Sequence, residues 1–204
     1  DMYILFLCAV AAFWLGISNA TREIVGEQGL ARRELMIGVA PVSYLGSKAL
    51  VLCFCGLFQA SLLLLTLRLC RPAWAQVPLP FAMREGGDTY RLFEGFSTYA
   101  KAGIVLFQVS AVGTMMGLMV SALARSVPQA IAAGPLIIIP HIAISSKVFQ
   151  IEPEKTFRGV LISINVVEQG YKWLSDLKND SSVTSWHGFN MAFLTIVAVV
   201  VVCF

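Results

Sequence analysis

Long apolar runs alternate with shorter polar segments along this chain. Each run approaches the roughly 20 helical residues that are needed to cross the hydrocarbon core of a bilayer. The five runs comprise residues 2–18, 49–67, 102–124, 127–145 and 188–204. The pattern therefore predicts an all-α membrane protein, a polytopic helical bundle with five spans in this sequence. Because the first and last runs stop at the two ends, we expect the chain to be part of a longer protein.

The segments between the runs differ in character. Residues 68–101 begin with prolines and glycines and then carry aromatic residues at a spacing of three, which is typical of a helix at the membrane surface. Residues 125–126 form only a tight turn. Residues 146–187 carry apolar residues at helical spacing between Phe157 and Leu177, which predicts a short helical hairpin that lies on the membrane or dips into it.

Residues 19–48, called the 19–48 segment below, are charged and amphipathic. Ile24, Ala31 and Leu35 share one face of a helix predicted over residues 22–37. The other faces carry the charged residues Glu23, Glu27, Arg32, Arg33 and Glu34. Such a helix either lies in a groove of a soluble partner or rests on the lipid surface, held by its apolar edge and its basic residues. The pattern alone favours neither interpretation.

Composition agrees with a membrane protein. Apolar residues make up 57% of the chain and charged residues 13%, whereas soluble domains carry roughly 25% charged residues. A net charge of +3 without a nucleic-acid-binding motif gives no indication of a nucleic-acid partner. The five cysteines lie in or beside apolar runs, so we interpret them as packing residues rather than as a metal or redox site.

The chain carries no motif for catalysis or for a bound cofactor or metal. It has no phosphate loop of the form GxxxxGKS or GxxxxGKT. Neither His141 nor His187 has Cys, Asp or Glu partners at metal-ligand spacing. We therefore predict that this chain is not an enzyme by itself.

Polar and small residues inside the runs are candidates for a transport path or for helix packing. Gln59, Gln108 and His141 place polar groups in hydrocarbon, where an unpaired group costs free energy. A stripe of small residues allows a second helix to approach closely, either from this chain or from a two-fold partner. It consists of Ser110, Gly113, Gly117 and Ser121. Pro135 and Pro140 remove backbone hydrogen bonds from the fourth run, which suits it to bending or to a fixed curve.

A glutamate, a basic–acidic pair, a glycine, a proline, a tyrosine and a lysine follow one another between the first two runs. These residues are Glu27, Arg33-Glu34, Gly38, Pro41, Tyr44 and Lys48. Their order resembles the stretch after the second helix in the membrane domains of type-2 ABC exporters, in particular the G-type branch. Residues 13–16, 19–24 and 116–130 are also similar to that family, so the resemblance covers nearly the whole chain.

This resemblance implies that residues 1–204 are helices two to six of a six-helix domain, truncated at both ends. The 19–48 segment would be a cytoplasmic coupling element, although ten of the 15 Lys and Arg residues lie on the opposite side. The residues expected to couple to a nucleotide-binding domain are Glu27, Arg32, Arg33, Glu34 and Leu35. Residues 146–187 would include an external hairpin before the last span. The sequence departs from the family at Ser145–Phe149, near the expected outer gate.

In that family, two membrane domains form a homodimer or heterodimer around a central path. The resemblance implies that the first and fourth runs line this path, at Phe13, Leu136, Ile139 and Ile142. An apolar lining would favour a hydrophobic or amphipathic substrate. ATP and Mg²⁺ would bind to an associated nucleotide-binding domain, fused or separate, and not to this chain. The expected location is a plasma or inner membrane, crossed several times.

Two other classes fit parts of the pattern. A membrane anchor or assembly subunit would use the 19–48 segment to recruit a soluble partner without transporting anything. A secondary transporter would show internal repeats and ionisable residues at mid-span. The sequence shows no repeat, and His141 is its one ionisable residue deep in a run. A phosphate loop upstream of Asp1 or in a neighbouring reading frame would favour the exporter.

Overall fold

The regular structure of the chain is helical. The computed structural model describes residues 2–69, 92–145, 148 and 165–178, and over residues 92–101 it describes the backbone only. Seven helices form in these ranges: α1 Met2–Ala20, α2 Glu23–Gly26, α3 Gln28–Met36, α4 Pro41–Leu69, α5 Leu92–Leu123, α6 Val127–Ala143 and α7 Val166–Lys178. No strand occurs within the same ranges.

Three stretches of helix are long and apolar enough to cross a membrane. They are Tyr3–Gly26, Ser43–Leu67 and Ala102–Leu123, with 24, 25 and 22 residues. They agree with the first three predicted spans. The fourth predicted span forms α6, an apolar helix of only 17 residues. The fifth, residues 188–204, lies outside the described residues, as does most of the predicted external hairpin.

Helices α1 and α5 form the centre of the bundle. Three glycines on their facing surfaces bring the two backbones into direct contact: Gly16, Gly113 and Gly117. A Cβ atom on Gly16 would lie 2.1 Å from the carbonyl oxygen of Ser110, and one on Gly113 would lie 2.6 Å from the carbonyl oxygen of Phe13. Real side chains do not approach backbone atoms so closely, so glycine is required for this packing. The contact formed by these three glycines is called the α1–α5 seam below.

Helix α4 lies at the periphery. Only 17% of its most apolar stretch is buried, compared with 56% for the corresponding stretches of α1 and α5. Leu50 and Phe54 are each 75% exposed. In a bilayer, lipid or another membrane helix would cover such a surface. One polar link ties α4 to α1, because Asn19 Nδ2 donates to Gln59 Oε1 at 3.0 Å.

Helix α7 packs across α1 and α5 at the level of their middle residues. A Cβ on Gly170 would lie 2.5 Å from Val109 Cγ2, and the Tyr171 ring meets the Phe6 ring edge-on at 6.2 Å. Trp173 and Leu174 are buried in the same core. Within the predicted hairpin, the part that the structure describes therefore dips into the bundle and does not lie on its surface.

Candidate functional site

The 19–48 segment folds into two short helices and the start of a third. The single helix predicted over residues 22–37 is instead divided at Glu27, whose backbone (φ −115°, ψ 23°) leaves the α region. The Glu27 carbonyl accepts the amides of Leu30 and Ala31, so α3 begins anew at Gln28. Gly26, a poor helix former, precedes the break.

Gly38 ends α3. Its φ of +96° is the left-handed conformation that glycine adopts without strain. The amide of Val39 then reaches back to the carbonyl of Glu34 at 3.1 Å, the backbone bond of a Schellman cap. The chain reverses and Pro41 begins α4, a position where the missing amide hydrogen costs nothing. Residues 38–40 thus set the angle between α3 and α4.

An ion cluster ties the segment to α4. Lys48 Nζ lies 2.6 Å from Glu27 Oε2 and 3.3 Å from Glu23 Oε2. The three side chains are 23%, 43% and 35% exposed, respectively, so each pair contributes at most about 1 kcal/mol. With two carboxylates and one ammonium group, the cluster carries one net negative charge. A shallow cavity of about 250 Å³ opens beside it, lined by Glu23, Ser47, Lys48, Val51 and Leu52.

A second set of contacts ties the segment to the turn between α5 and α6. Ser121 Oγ on α5 accepts the backbone amides of Ile24 and Val25, each at 3.0 Å. Gln28 Nε2 donates to the carbonyl oxygen of Ala124 at 3.0 Å. The side chain of Val25 is buried in a small apolar cluster with Ala124 and Ala130. The inner side of the segment is therefore held at two separate places, on α4 and at the α5–α6 turn.

The outer side of the segment is open. Of the five residues expected to couple to a partner, Arg32 and Arg33 are exposed and Glu34 is half-buried. Glu27 is instead engaged by Lys48, and of Leu35 only the backbone is described, within α3. Met36 and Ile37 are 80% and 83% exposed at the end of α3. Two arginines and two large apolar side chains thus form one accessible surface.

The structure does not bring the four predicted path residues together. Phe13 is fully buried between α1, α5 and α6, with its ring 4.8 Å from the ring of His141. Leu136 and Ile139 point away from the bundle and are 73% and 60% exposed, while Ile142 packs against the core. Phe13 is therefore a packing residue in this arrangement, whereas Leu136 and Ile139 lie on an outer face of α6.

The stripe of small residues packs against other helices of the same chain, and one of its members also accepts hydrogen bonds. Gly113 and Gly117 meet the backbone of α1, and Ser121 accepts the two amides of α2. Ser110 is 2% exposed, and its hydroxyl has no hydrogen-bond partner among the described residues. The sequence pattern did not single out Gly16 as a packing residue, although it makes the closest approach in the α1–α5 seam.

A buried polar cluster lies at the other end of α6. Ser145 Oγ donates to Glu168 Oε2 at 2.8 Å, and Asn165 Nδ2 donates to the carbonyl oxygen of His141 at 2.8 Å. Glu168 is fully buried, and Lys172 approaches its second oxygen at 3.9 Å. Ser145, where the sequence departs from the exporter pattern, thus joins α6 to α7. Sequence reasoning missed Asn165 and Glu168, for which the spacing N-x-x-E at a helix start was the available signal.

No group of three or more His, Cys, Asp or Glu side chains that could hold a metal ion occurs among the residues that the structure describes. No protein-family model, curated protein or solved structure matches this chain. The fold therefore defines a class, an all-helical protein with three candidate membrane spans. Any narrower proposal about function has to rest on the sequence motifs and on the geometry of the 19–48 segment.

Proposed function

We propose that the chain is the membrane domain of a type-2 ABC exporter of the G-type branch. In this proposal it crosses a plasma or inner membrane five times, with residues 127–145 and 188–204 as the last two spans. The observation that carries the proposal is the geometry of the 19–48 segment. Its inner side is fixed to α4 and to the α5–α6 turn, and its outer side is open to a partner.

The exposed surface of α3 suits a groove in a soluble domain. Met36 and Ile37 supply apolar area that docking would remove from water, and Arg32 and Arg33 supply charge that selects an acidic rim. In the proposal this groove belongs to the nucleotide-binding domain, which holds ATP and Mg²⁺. A displacement of α3 would reach α4 through the Lys48 ion cluster.

The proposal also needs a second membrane domain. Phe13 fills the core of the bundle, so in this proposal the path forms between two copies or two related chains. The outward face of α6 with Leu136 and Ile139 is the part of the predicted lining that remains available for this. Its apolar character favours a hydrophobic or amphipathic substrate.

A membrane anchor or assembly subunit is the second candidate. The burial of Phe13 favours it, because the residues expected to line a path are not gathered around one. An anchor would use the same exposed surface of α3 to hold a soluble protein. It would not require that protein to hydrolyse ATP.

The identity of the soluble partner tests the proposal. The tagged chain is purified from its own membranes in mild detergent, and the attached proteins are identified by mass spectrometry. We expect a phosphate-loop ATPase, either in the same polypeptide or as a stoichiometric partner. A stoichiometric partner without a phosphate loop, in a polypeptide that also lacks one, would instead support the anchor.

Arg33→Ala and Glu34→Ala test the coupling role within the complete transporter. Both variants should insert normally, because Arg33 is exposed and Glu34 is only half-buried. We expect the ratio of rhodamine-dye transport to ATP hydrolysis in proteoliposomes to fall roughly fivefold or more. Arg125→Ala is the matched control, since Arg125 is also exposed and lies in the neighbouring α5–α6 turn. Equal ratios in all three variants and the unmodified protein would remove the coupling role.

A further inference from the structure

The first turn of α2 lacks a cap of its own. A helix leaves its first amides without partners inside the helix, and a serine, threonine, asparagine or aspartate at the N-cap normally accepts those of the second and third residues. Arg22 occupies this position and makes no such bond. Its guanidinium group carries only hydrogen-bond donors and cannot accept a bond from a backbone amide. Ile24 and Val25, the second and third residues of α2, therefore need an acceptor from elsewhere.

Ser121 supplies that acceptor from another helix. Its hydroxyl oxygen lies 3.0 Å from both amides, although it is 96 and 97 residues away in sequence. Ser121 is fully buried, so no water replaces it in this arrangement. The start of α2 is thus bonded to α5 two residues before α5 ends at Leu123.

The 19–48 segment also contacts the α5–α6 turn directly. Gln28 bonds the carbonyl of Ala124, and Val25 packs on Ala124 and Ala130 at the two sides of the turn. Beyond the turn, α6 contains Pro135 and Pro140, which remove backbone hydrogen bonds and leave it easier to bend. A stiff attachment therefore leads from α2 into a helix that is suited to bending.

We infer that Ser121 is a positioning residue that makes the α5–α6 turn follow the 19–48 segment when a partner displaces it. This inference rests on the proposed function, because it assigns the route of a movement that the nucleotide-binding domain would cause. The Lys48 cluster forms a separate attachment to α4. Loss of the Ser121 hydroxyl should therefore loosen the attachment of the α5–α6 turn to the segment, where the Gln28 bond and the Val25 packing remain, and should leave α4 attached.

Hydrogen–deuterium exchange of the complete transporter in lipid nanodiscs tests both the hydrogen bonds of Ser121 and the movement that they would transmit. Without nucleotide, Ser121→Ala should raise the exchange rates of the Ile24 and Val25 amides roughly tenfold, because each loses its acceptor. With MgATP and vanadate, unmodified protein should change its exchange in α3 and in residues 125–134. In Ser121→Ala the change in α3 should persist and the change in residues 125–134 should be strongly reduced, because only the Gln28 bond and the Val25 packing remain.

Ser110→Ala is the matched control. It makes the same substitution on the same helix at a buried position, but its hydroxyl accepts nothing among the described residues. It should exchange like the unmodified protein in both states. Gln28→Ala removes the half-buried hydrogen bond from Gln28 to the carbonyl of Ala124. It should reduce the response of residues 125–134 without abolishing it.

The outcomes separate this inference from the proposed function. A full response of residues 125–134 in Ser121→Ala, with α3 also responding, would overturn the role of Ser121 and leave the proposed function standing. Unmodified protein whose α3 does not respond to MgATP and vanadate would overturn the proposed function and, with it, the inferred route. Exchange at Ile24 and Val25 without nucleotide reports the hydrogen bonds in either case.

Discussion

Helices α4 and α5 both contact α1, but the two contacts are of different kinds. In the α1–α5 seam, glycines bring backbone against backbone, and little space remains for adjustment. Helix α4 is instead held by long polar side chains of its own, Gln59 to Asn19 of α1 and Lys48 to Glu23 of the neighbouring α2. Side chains of this length can change rotamer while two helices shift, whereas a glycine seam cannot.

The difference separates a fixed pair from an adjustable helix. Helices α1 and α5 are about half buried along their apolar stretches and are covered further by α7. Helix α4 is largely exposed and shares few buried side chains with the core. If a partner pushes on the 19–48 segment, we expect α4 to move relative to the α1–α5 pair before that pair separates.

The largest expected effect comes from breaking the α1–α5 seam. In Gly16→Ala, the new Cβ would lie 2.1 Å from the carbonyl oxygen of Ser110 and 2.9 Å from the amide nitrogen of Thr114. Because both are backbone atoms, the helices must separate. We expect the free energy of unfolding, measured by SDS titration in mixed micelles, to fall by about 3 kcal/mol.

Gly46→Ala is the matched substitution on α4. A Cβ at Gly46 meets nothing within 4 Å, so only the intrinsic preference of a helix for alanine remains. The free energy of unfolding should therefore stay the same or rise by up to about 1 kcal/mol. Equal losses for Gly16→Ala and Gly46→Ala would show that the two helices are packed alike and would contradict the comparison.

A smaller effect is expected at the polar link between α1 and α4. Asn19→Ala and Gln59→Ala each remove one side of a partly buried hydrogen bond. A double-mutant cycle on the same unfolding measurement should give an interaction energy of about 0.6 kcal/mol, since interhelical hydrogen bonds in membranes are modest on average. An interaction energy above about 2 kcal/mol would place α4 in the fixed part of the bundle.

The sequence was sufficient for the features that depend on composition and local spacing. The first three apolar runs agree with the three candidate spans, because length and hydropathy decide whether a helix can cross a bilayer. The stripe at Gly113 and Gly117 predicted close helix contact, but the sequence left open which helix approaches. The structure shows that it is α1 of the same chain.

Features that depend on contacts between distant residues could not be predicted from the sequence. Helix α6 is apolar on all sides, so its pattern did not distinguish buried Ile138 from exposed Leu136 and Ile139. Lys48 forms an ion pair with Glu27, 21 residues away, and Ser121 accepts a hydrogen bond from Val25, 96 residues away. No local spacing in the sequence predicts either contact. Tertiary contacts also surround the break at Glu27: Lys48 bonds Glu27 itself, Ser121 bonds the amide of Val25 before it, and Gln28 after it bonds the carbonyl of Ala124.

The smallest effect is expected at Ser110, where α1, α4 and α5 meet. Its hydroxyl is buried without a hydrogen-bond partner among the described residues, 3.0 Å from where a Cβ on Gly56 of α4 would lie. Ser110→Ala removes this unpaired group and leaves the seam intact, because the Ser110 carbonyl that contacts Gly16 is unchanged. We expect the free energy of unfolding to stay the same or rise by about 1 kcal/mol, since an unpaired buried hydroxyl destabilises the folded state. A loss of more than about 1 kcal/mol would mean that the hydroxyl is paired in the membrane, and a hydrogen bond of Ser110 would then help to hold α5 to its neighbours.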